Sequence, residues 1–184
     1  MKTLMWNVRG LGNPRTFRSL RNLLRELCPS LVFLSEIRLD VGSVDRLKNS
    51  LGFQGGFEVA RSFSKGHIDS VINYAEGGRW RFTGFYGKPK QVNRRLSWTL
   101  LCKLGGLFSL PWLVGGDFNE IVSDVEKIRG SFRGVTAMND FRSAIDDCCL
   151  IDMGFQGNCF TWSNRQLFDQ CIQERLDRSL CTLQ

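Results

Sequence analysis

One histidine, His67, serves the whole chain of 184 residues. That scarcity argues against histidine-built metal centres and against Cys/His sites of the zinc-finger kind. Cysteine occupies seven positions (Cys28, Cys102, Cys148, Cys149, Cys159, Cys171 and Cys181), an odd number with no CxxC pair among them. Such spacing matches neither a zinc site nor a compact disulfide framework, and predicts free thiols in a reducing compartment. Long apolar runs are missing as well. The longest, Leu31 to Leu34, is strand-sized, far short of the roughly 18–20 residues that cross a bilayer. Met1 to Asn7 has neither the apolar core nor the small-residue cleavage site of a signal peptide. With no repeat, low-complexity tract or linker, the expectation is one domain over residues 1–184, without a membrane partner. Its expected location is intracellular, the nucleus included.

Acidic residues are the scarcer charge, 18 against 25 Lys and Arg, which leaves a formal charge of +7 and a pI near 9.3. A polyanionic partner is favoured by that balance. The arginines (Arg15, Arg18, Arg21, Arg25; Arg79, Arg81; Arg94, Arg95) are spread along the chain rather than gathered into a tail. The same spread is compatible with a set of solvated faces.

What is present reads as alternating strands and helices. Thr3 to Val8 is β-rich and runs into a Gly/Pro loop, Arg9 to Pro14. Phe17, Leu20, Leu24 and Leu27 recur at helical spacing until Pro29 stops them. Leu31 to Leu34 then suits a strand buried on both sides. Val44, Leu47 and Leu51 suggest a short second helix. His67 to Tyr74 and Arg79 to Tyr86, separated by Gly77-Gly78, carry a hairpin signal. Leu96, Leu100, Leu101 and Leu104 form a helical stripe closed by Gly105-Gly106, and Trp112 to Val114 is a buried-type strand ending at Gly115-Gly116-Asp117. Met138, Phe141, Ile145 and Cys149 mark a last amphipathic helix. Cys159 to Trp162 and Cys171 to Leu180 read as two more strands, or a strand and a turn. The expected class is α/β with a mixed sheet core.

Polar residues at the ends of the apolar strands carry the chemical signal. Asn7 follows Leu4-Met5-Trp6, Glu36 follows Leu31 to Leu34, and Asp117 and Asn119 follow Trp112 to Val114. Strand ends bordering loops are where α/β folds place their sites. Asn, Glu and Asp without histidine form an oxygen-rich set suited to a hard cation, Mg²⁺ or Mn²⁺. Taken singly, each has a plainer reading: Asn7 as a turn former, Glu36 as a solvated strand end, Asp117 and Asn119 as an Asx-turn after two glycines.

Five segments in order resemble the motifs of the endonuclease/exonuclease/phosphatase superfamily. They are Trp6-Asn7-Val8-Arg9-Gly10-Leu11, Leu34-Ser35-Glu36-Ile37-Arg38, Gly84-Phe85-Tyr86-Gly87, Gly115-Gly116-Asp117-Phe118-Asn119 and Glu174-Arg175-Leu176-Asp177-Arg178. Within that superfamily their wording is similar to the endonuclease domains of plant LINE-type retrotransposons, and Met138 to Trp162 resembles the same group. The resemblance implies a four-layer α/β/β/α sandwich, two mixed sheets face to face with helices outside, here incomplete. It implies phosphodiester hydrolysis with a divalent metal, DNA as substrate held through its phosphates, and a reverse transcriptase fused in the parent element. Residue by residue, it implies Glu36 as main metal ligand with Asn7 near it, and Asp117 activating or aligning the attacking water. Asn119 would orient the nucleophile and a phosphate oxygen, and Tyr86 would contact the scissile phosphate. Arg9, Arg79, Arg81 and Trp162 are the expected nucleic-acid contacts.

Asp177 departs from that pattern in an informative way. In the family this aspartate orients a histidine further along, in a Ser-Asp-His motif; here the sequence stops at Gln184. The expectation is therefore a domain lacking that motif and its carboxyl-terminal strand, with impaired catalysis, and with His67 in a packing or surface role rather than catalysis. A second expectation is a lost central strand near Ala60 to Ser64, where Phe57-Glu58-Val59-Ala60 runs almost directly into Ser62-Phe63-Ser64. The alternative is a non-catalytic basic nucleic-acid-binding remnant, with Arg79, Trp80, Arg81, Arg94 and Arg95 on phosphates and Trp80, Phe85 or Trp98 stacking on bases.

Overall fold

The computed structural model describes residues 1–51, 60–74, 78–107 and 109–183. The chain forms two units, Met1–Val59 and Ala60–Gln184.

The first unit is a strand–helix–strand–helix: β1 (Thr3–Asn7), α1 (Pro14–Leu27), β2 (Leu31–Ser35) and α2 (Val41–Ser50). β1 and β2 pair in parallel, from Thr3 opposite Leu31 to Asn7 opposite Ser35, so α1 is their crossover connection. The start of α1 is written locally: the Asn13 side chain accepts the Arg15 amide at 2.9 Å and Pro14 takes the first turn, where no donor is needed. Its end is equally local. Cys28 adopts a left-handed φ of 45°, its amide donates to Leu24 O, and Pro29 forbids another turn. Leu20, fully buried, joins Val8, Leu11, Leu4, Trp6, Leu24 and Leu34 in the unit's apolar cluster. Leu31 to Leu34, expected to be enclosed on both sides, are only half-buried. A two-stranded sheet leaves β2 with one neighbour, too few to enclose a strand.

The second unit continues with β3 (Ala60–Ser64), β4 (His67–Tyr74), β5 (Gly78–Tyr86), α3 (Arg94–Gly105), β6 (Trp112–Asp117), β7 (Lys127–Ile128), α4 (Val135–Asp147), β8 (Leu150–Asp152), β9 (Trp162–Ser163), β10 (Gln173–Glu174) and β11 (Asp177–Thr182). Six strands form one sheet in the order β3-β4-β5-β6-β11-β8. β5 and β6 are parallel and joined through α3; the other neighbours are antiparallel, so the expected mixed sheet is present. The hairpin expected from Gly77-Gly78 pairs β4 with β5 from His67 opposite Phe85 to Tyr74 opposite Gly78. Ser64 to Tyr74 is not one strand: Lys65-Gly66 turns the chain between β3 and β4. The lost strand was expected near Ala60 to Ser64, where the chain forms β3; Phe57 to Val59, just before it, lie outside the described residues.

Side chains alternate across a strand, so the register fixes which residues share a face. Phe85, Trp112, Val114 and Leu180 look toward α3 and α4 and meet Trp98, Leu101, Leu104, Phe141 and Ala144 in the main core. Trp98 stacks on Phe141 at 4.3 Å between ring centroids, and Phe118 bridges Phe85 and Phe141 at 5.0 and 5.3 Å. Two glycines permit the close approaches beside the end of β6. A Cβ at Gly116, whose φ is +142°, would lie 2.1 Å from Phe85 O, and one at Gly87 would lie 2.2 Å from Phe118 O. A smaller sheet, β7-β10-β9, lies elsewhere in the unit, and Trp162 packs against Ile121, Met138 and Leu176.

Candidate functional site

In the first unit the parallel pairing continues past the ends of both strands: Val8 N donates to Ser35 O, Gly10 N to Glu36 O and Leu11 N to Ile37 O. This ladder carries Asn7 and Glu36 out side by side. Asn7 Nδ2 donates to Glu36 Oε1 at 2.9 Å, and Arg38 Nη2 donates to Glu36 Oε2 at 2.9 Å. Arg9, Glu36 and Arg38 all hold left-handed φ values (48°, 52° and 54°) without being glycine. Conformations of that kind cost about 1–3 kcal/mol each and gather where a loop is held for function. Asn7 also accepts the Arg9 amide at Oδ1 (3.3 Å), the turn contact of its plainer reading, and Glu36 is held by two side-chain donors.

In the second unit the register sets three of the expected residues in one row. Tyr86 at the end of β5 is opposite Asp117 at the end of β6, and Asp117 is opposite Asp177 at the start of β11. Opposed residues leave the same face of a sheet, so the three side chains share one face at one end. Asp117, 4% exposed, accepts the Asn119 amide at Oδ1 (2.8 Å). Asn119, at φ 57°, donates from Nδ2 to Gly87 O at 3.0 Å, while Gly87 N donates to Asp117 O at 2.7 Å. The Asx-turn anticipated from the sequence exists, and it is also what locks Asn119 beside the row. Thr161 Oγ1 accepts the amides of both Leu176 and Asp177 at 3.0 and 2.9 Å, fixing how β11 enters.

His67 stands one register row away, opposite Phe85, and so leaves the other face of the sheet. Its Nε2 lies 2.9 Å from Ser62 Oγ and its Nδ1 2.8 Å from Ser64 Oγ. Burial holds its pKa below the ordinary value; Asp69 pulls it upward and Arg81 down. These contacts are those of a packed, neutral histidine. Burial, then the neighbouring Cys102 thiol, pushes the Cys148 pKa up to about 12, which favours the protonated thiol.

Several basic and aromatic side chains expected to meet nucleic acid are internal instead. Arg81 is fully buried, its Nε donating to Asp69 Oδ1 at 2.8 Å and its Nη1 to Leu104 O at 2.6 Å, with the guanidinium over Trp112. Arg81 shares the helix-covered face with Thr83 and Phe85, and the carboxylate it needs comes from the partner strand β4. Arg94, 7% exposed, pairs with Glu120 at 2.7 Å, and Phe85 and Trp98 are core residues. Trp162 and Trp80 are half-buried, Arg79 is exposed, and Arg95 is exposed in a pair with Asp140. Arg9 is half-buried in the loop after β1.

Sequence reasoning missed the ion cluster behind β11. Arg178 bridges Glu126 Oε2 and Asp152 Oδ2 at 2.7 and 2.8 Å; Arg175 bridges Glu126 Oε1 and Asp152 Oδ1 at 2.9 and 2.8 Å. Glu174 accepts from Lys127 and Arg133 at 2.5 and 2.6 Å. Of the motif Glu174 to Arg178, only Asp177 belongs to the row; the charged residues around it anchor the strand. Their one sequence signal was the density of charge in five residues.

Compared with known proteins, residues 5–182 match the model of the Endonuclease/Exonuclease/phosphatase family. The chain belongs to that family. Its fold is similar to that of an endonuclease/exonuclease/phosphatase family protein from Bacteroides thetaiotaomicron, at 12% identity and a TM-score of 0.58 over 98% of this chain and 80% of that one. The endonuclease domain of TRAS1, a telomere-specific non-LTR retrotransposon, is similar at 14% identity and a TM-score of 0.47 over 65% of this chain. The match spans 51% of that chain, about half its length. No curated protein matches. Members of the family generally depend on a divalent metal. Among the described residues no three His, Cys, Asp or Glu side chains converge as a metal cage. The chemistry of the donor set, one carboxylate and one amide oxygen, is of the oxygen kind that Mg²⁺ or Mn²⁺ takes, although Glu36 here accepts from Asn7 Nδ2 and Arg38 and the Asn7 oxygen accepts from Arg9 N. No described helix is long and apolar enough to cross a membrane.

Proposed function

We propose that this chain is a metal-dependent phosphodiesterase domain directed at DNA, of the kind that plant LINE-type retrotransposons carry with a reverse transcriptase, and that residues 1–184 alone cleave weakly. The row Tyr86–Asp117–Asp177 carries this reading, because family motifs distant in sequence share one sheet face. Glu36 and Asn7 are assigned to the metal. When bound, Mg²⁺ or Mn²⁺ neutralises charge that builds on the phosphate. The Asp117 carboxylate takes the proton of an attacking water. Asn119, its Nδ2 pinned by Gly87 O, directs its second N–H to a phosphate oxygen, and the Tyr86 hydroxyl donates to the same group. Asp177 is assigned to orient a histidine, and His67 leaves the opposite face of the sheet. General acid–base catalysis typically contributes 10²–10⁴ in rate, and within residues 1–184 His67, the one histidine, leaves the other face, which supports weak cleavage by these residues alone.

Supercoiled plasmid incubated with the purified chain and Mg²⁺ tests this. Slow nicking that disappears in Glu36→Ala is the expected result. Nicking no faster than in that control would leave the second reading, a basic domain that binds DNA without cutting it, which the position of His67 favours.

A further inference from the structure

The α1 arginines Arg15, Arg18, Arg21 and Arg25 are all exposed, and at three- and four-residue spacing they line one side of the helix. None makes an ion pair with a described residue. In the second unit Arg94 is paired with Glu120, Arg95 with Asp140, and Arg175 and Arg178 with Glu126, whereas Arg79, Arg142 and Arg165 form no ion pair with a described residue and do not follow one another along one helix. The stripe also works against its own helix. Like charges three and four residues apart repel, and Arg15 stands in the first turn, where the helix dipole disfavours a cation and no acidic residue compensates. Helix formers without charge, such as glutamine, would serve a merely solvated face at lower cost. The repulsion is relieved by an external polyanion.

From this unbalanced stripe we infer that α1 is a second nucleic-acid surface, which seats the phosphate backbone of duplex DNA flanking the reacting bond. The inference rests on DNA being the substrate. Arg15 and Arg25 are about 15 Å apart along the axis at 1.5 Å per residue. A straight duplex carries roughly nine phosphate charges over that length with both strands counted, at one per ~1.7 Å, or about four on one strand, at one per ~3.4 Å. Position agrees as well. α1 leaves the loop that follows Asn7, so the stripe starts at the end of the first unit that holds Asn7 and Glu36, and runs back along the crossover.

The test is salt-dependent binding of the full chain to a 30-base-pair duplex, read by fluorescence anisotropy, with circular dichroism confirming helix content. Replacing all four arginines by glutamine should lower the slope of log K against log salt by roughly 3–4, at about 0.9 per phosphate contact. Lysine at all four positions should restore the slope to within one unit. Glu36→Ala should keep the native slope while losing any nicking, so a failed catalytic reading and a failed α1 surface give different results. An unchanged slope in the glutamine variant overturns the inference. So does absence of duplex binding by the native chain, or tenfold preference for single-stranded RNA of equal length.

Discussion

Asp177 stands directly opposite Asp117 across the antiparallel β6–β11 pair, so two carboxylates leave one face of the sheet side by side. Like charges directly opposite each other across a sheet are destabilising. Tyr86, opposite Asp117 on its other side, extends the same row.

Asp177→Asn should therefore stabilise the fold and harm the chemistry together. Removing one of two facing charges is worth about 0.2–1 kcal/mol at neutral pH without metal. Urea denaturation followed by tryptophan fluorescence measures it, and a midpoint below the native one would show that the carboxylate is structurally required. Any plasmid nicking should fall in the same variant.

Of the strands that carry the row, Trp112 to Val114 with its two glycines was the plainest to read; β5 mixes arginines with its apolar residues, and β11 opens on Asp177-Arg178. The row itself was not legible, since register is set by pairing between segments far apart in sequence. Motif resemblance could name Asp177 without revealing that Arg175 and Arg178 on either side turn inward to Glu126 and Asp152. β7, β9 and β10 have two residues each and no periodicity to read. Arg81 was misassigned because charge was taken as a sign of solvent. Its burial depends on Asp69, which only the β4–β5 register brings beside it.

Arg79 and Arg81, two residues apart, should separate cleanly by experiment. Arg81→Gln leaves Asp69 buried without its cation and should cost about 3–5 kcal/mol. Arg79→Gln, at an exposed position, should change stability by no more than about 0.5 kcal/mol. Paired urea melts decide the first point. If Arg79 meets phosphate, its variant should also bind duplex DNA more weakly, with the salt slope lowered by about one.

Arg38 holds Glu36 Oε2, one of the oxygens assigned to the metal, while its own side chain is 68% exposed. A cation already at that oxygen competes with a second one. Exposed pairs contribute about 0.2–1 kcal/mol, so Arg38→Ala should tighten Mn²⁺ binding by roughly 1.5- to 5-fold. Titration of Mn²⁺ followed by electron paramagnetic resonance reads this directly. Weaker binding in the variant would mean that Arg38 orients Glu36 rather than competing for it.

Acid should weaken the second unit through the cluster behind β11. Burial pushes the Asp152 carboxyl up, yet the Gly154 amide and the Arg175 and Arg178 guanidinia outweigh it and hold its pKa below the ordinary value. Glu174 is likewise raised by burial and brought below its usual range by Lys127 and Arg133. A carboxyl whose folded pKa is depressed contributes its stability fully above the unfolded value, about 3.9 for Asp and 4.3 for Glu, and loses it as pH falls through the folded value. Stability should thus be flat with respect to these two groups at pH 5–7 and drop below about pH 4. Urea melts at pH 6, 4 and 3 will show the fall, and Asp152→Asn, already lacking one such carboxylate, should show a shallower one. An equal fall in that variant would place the acid sensitivity elsewhere.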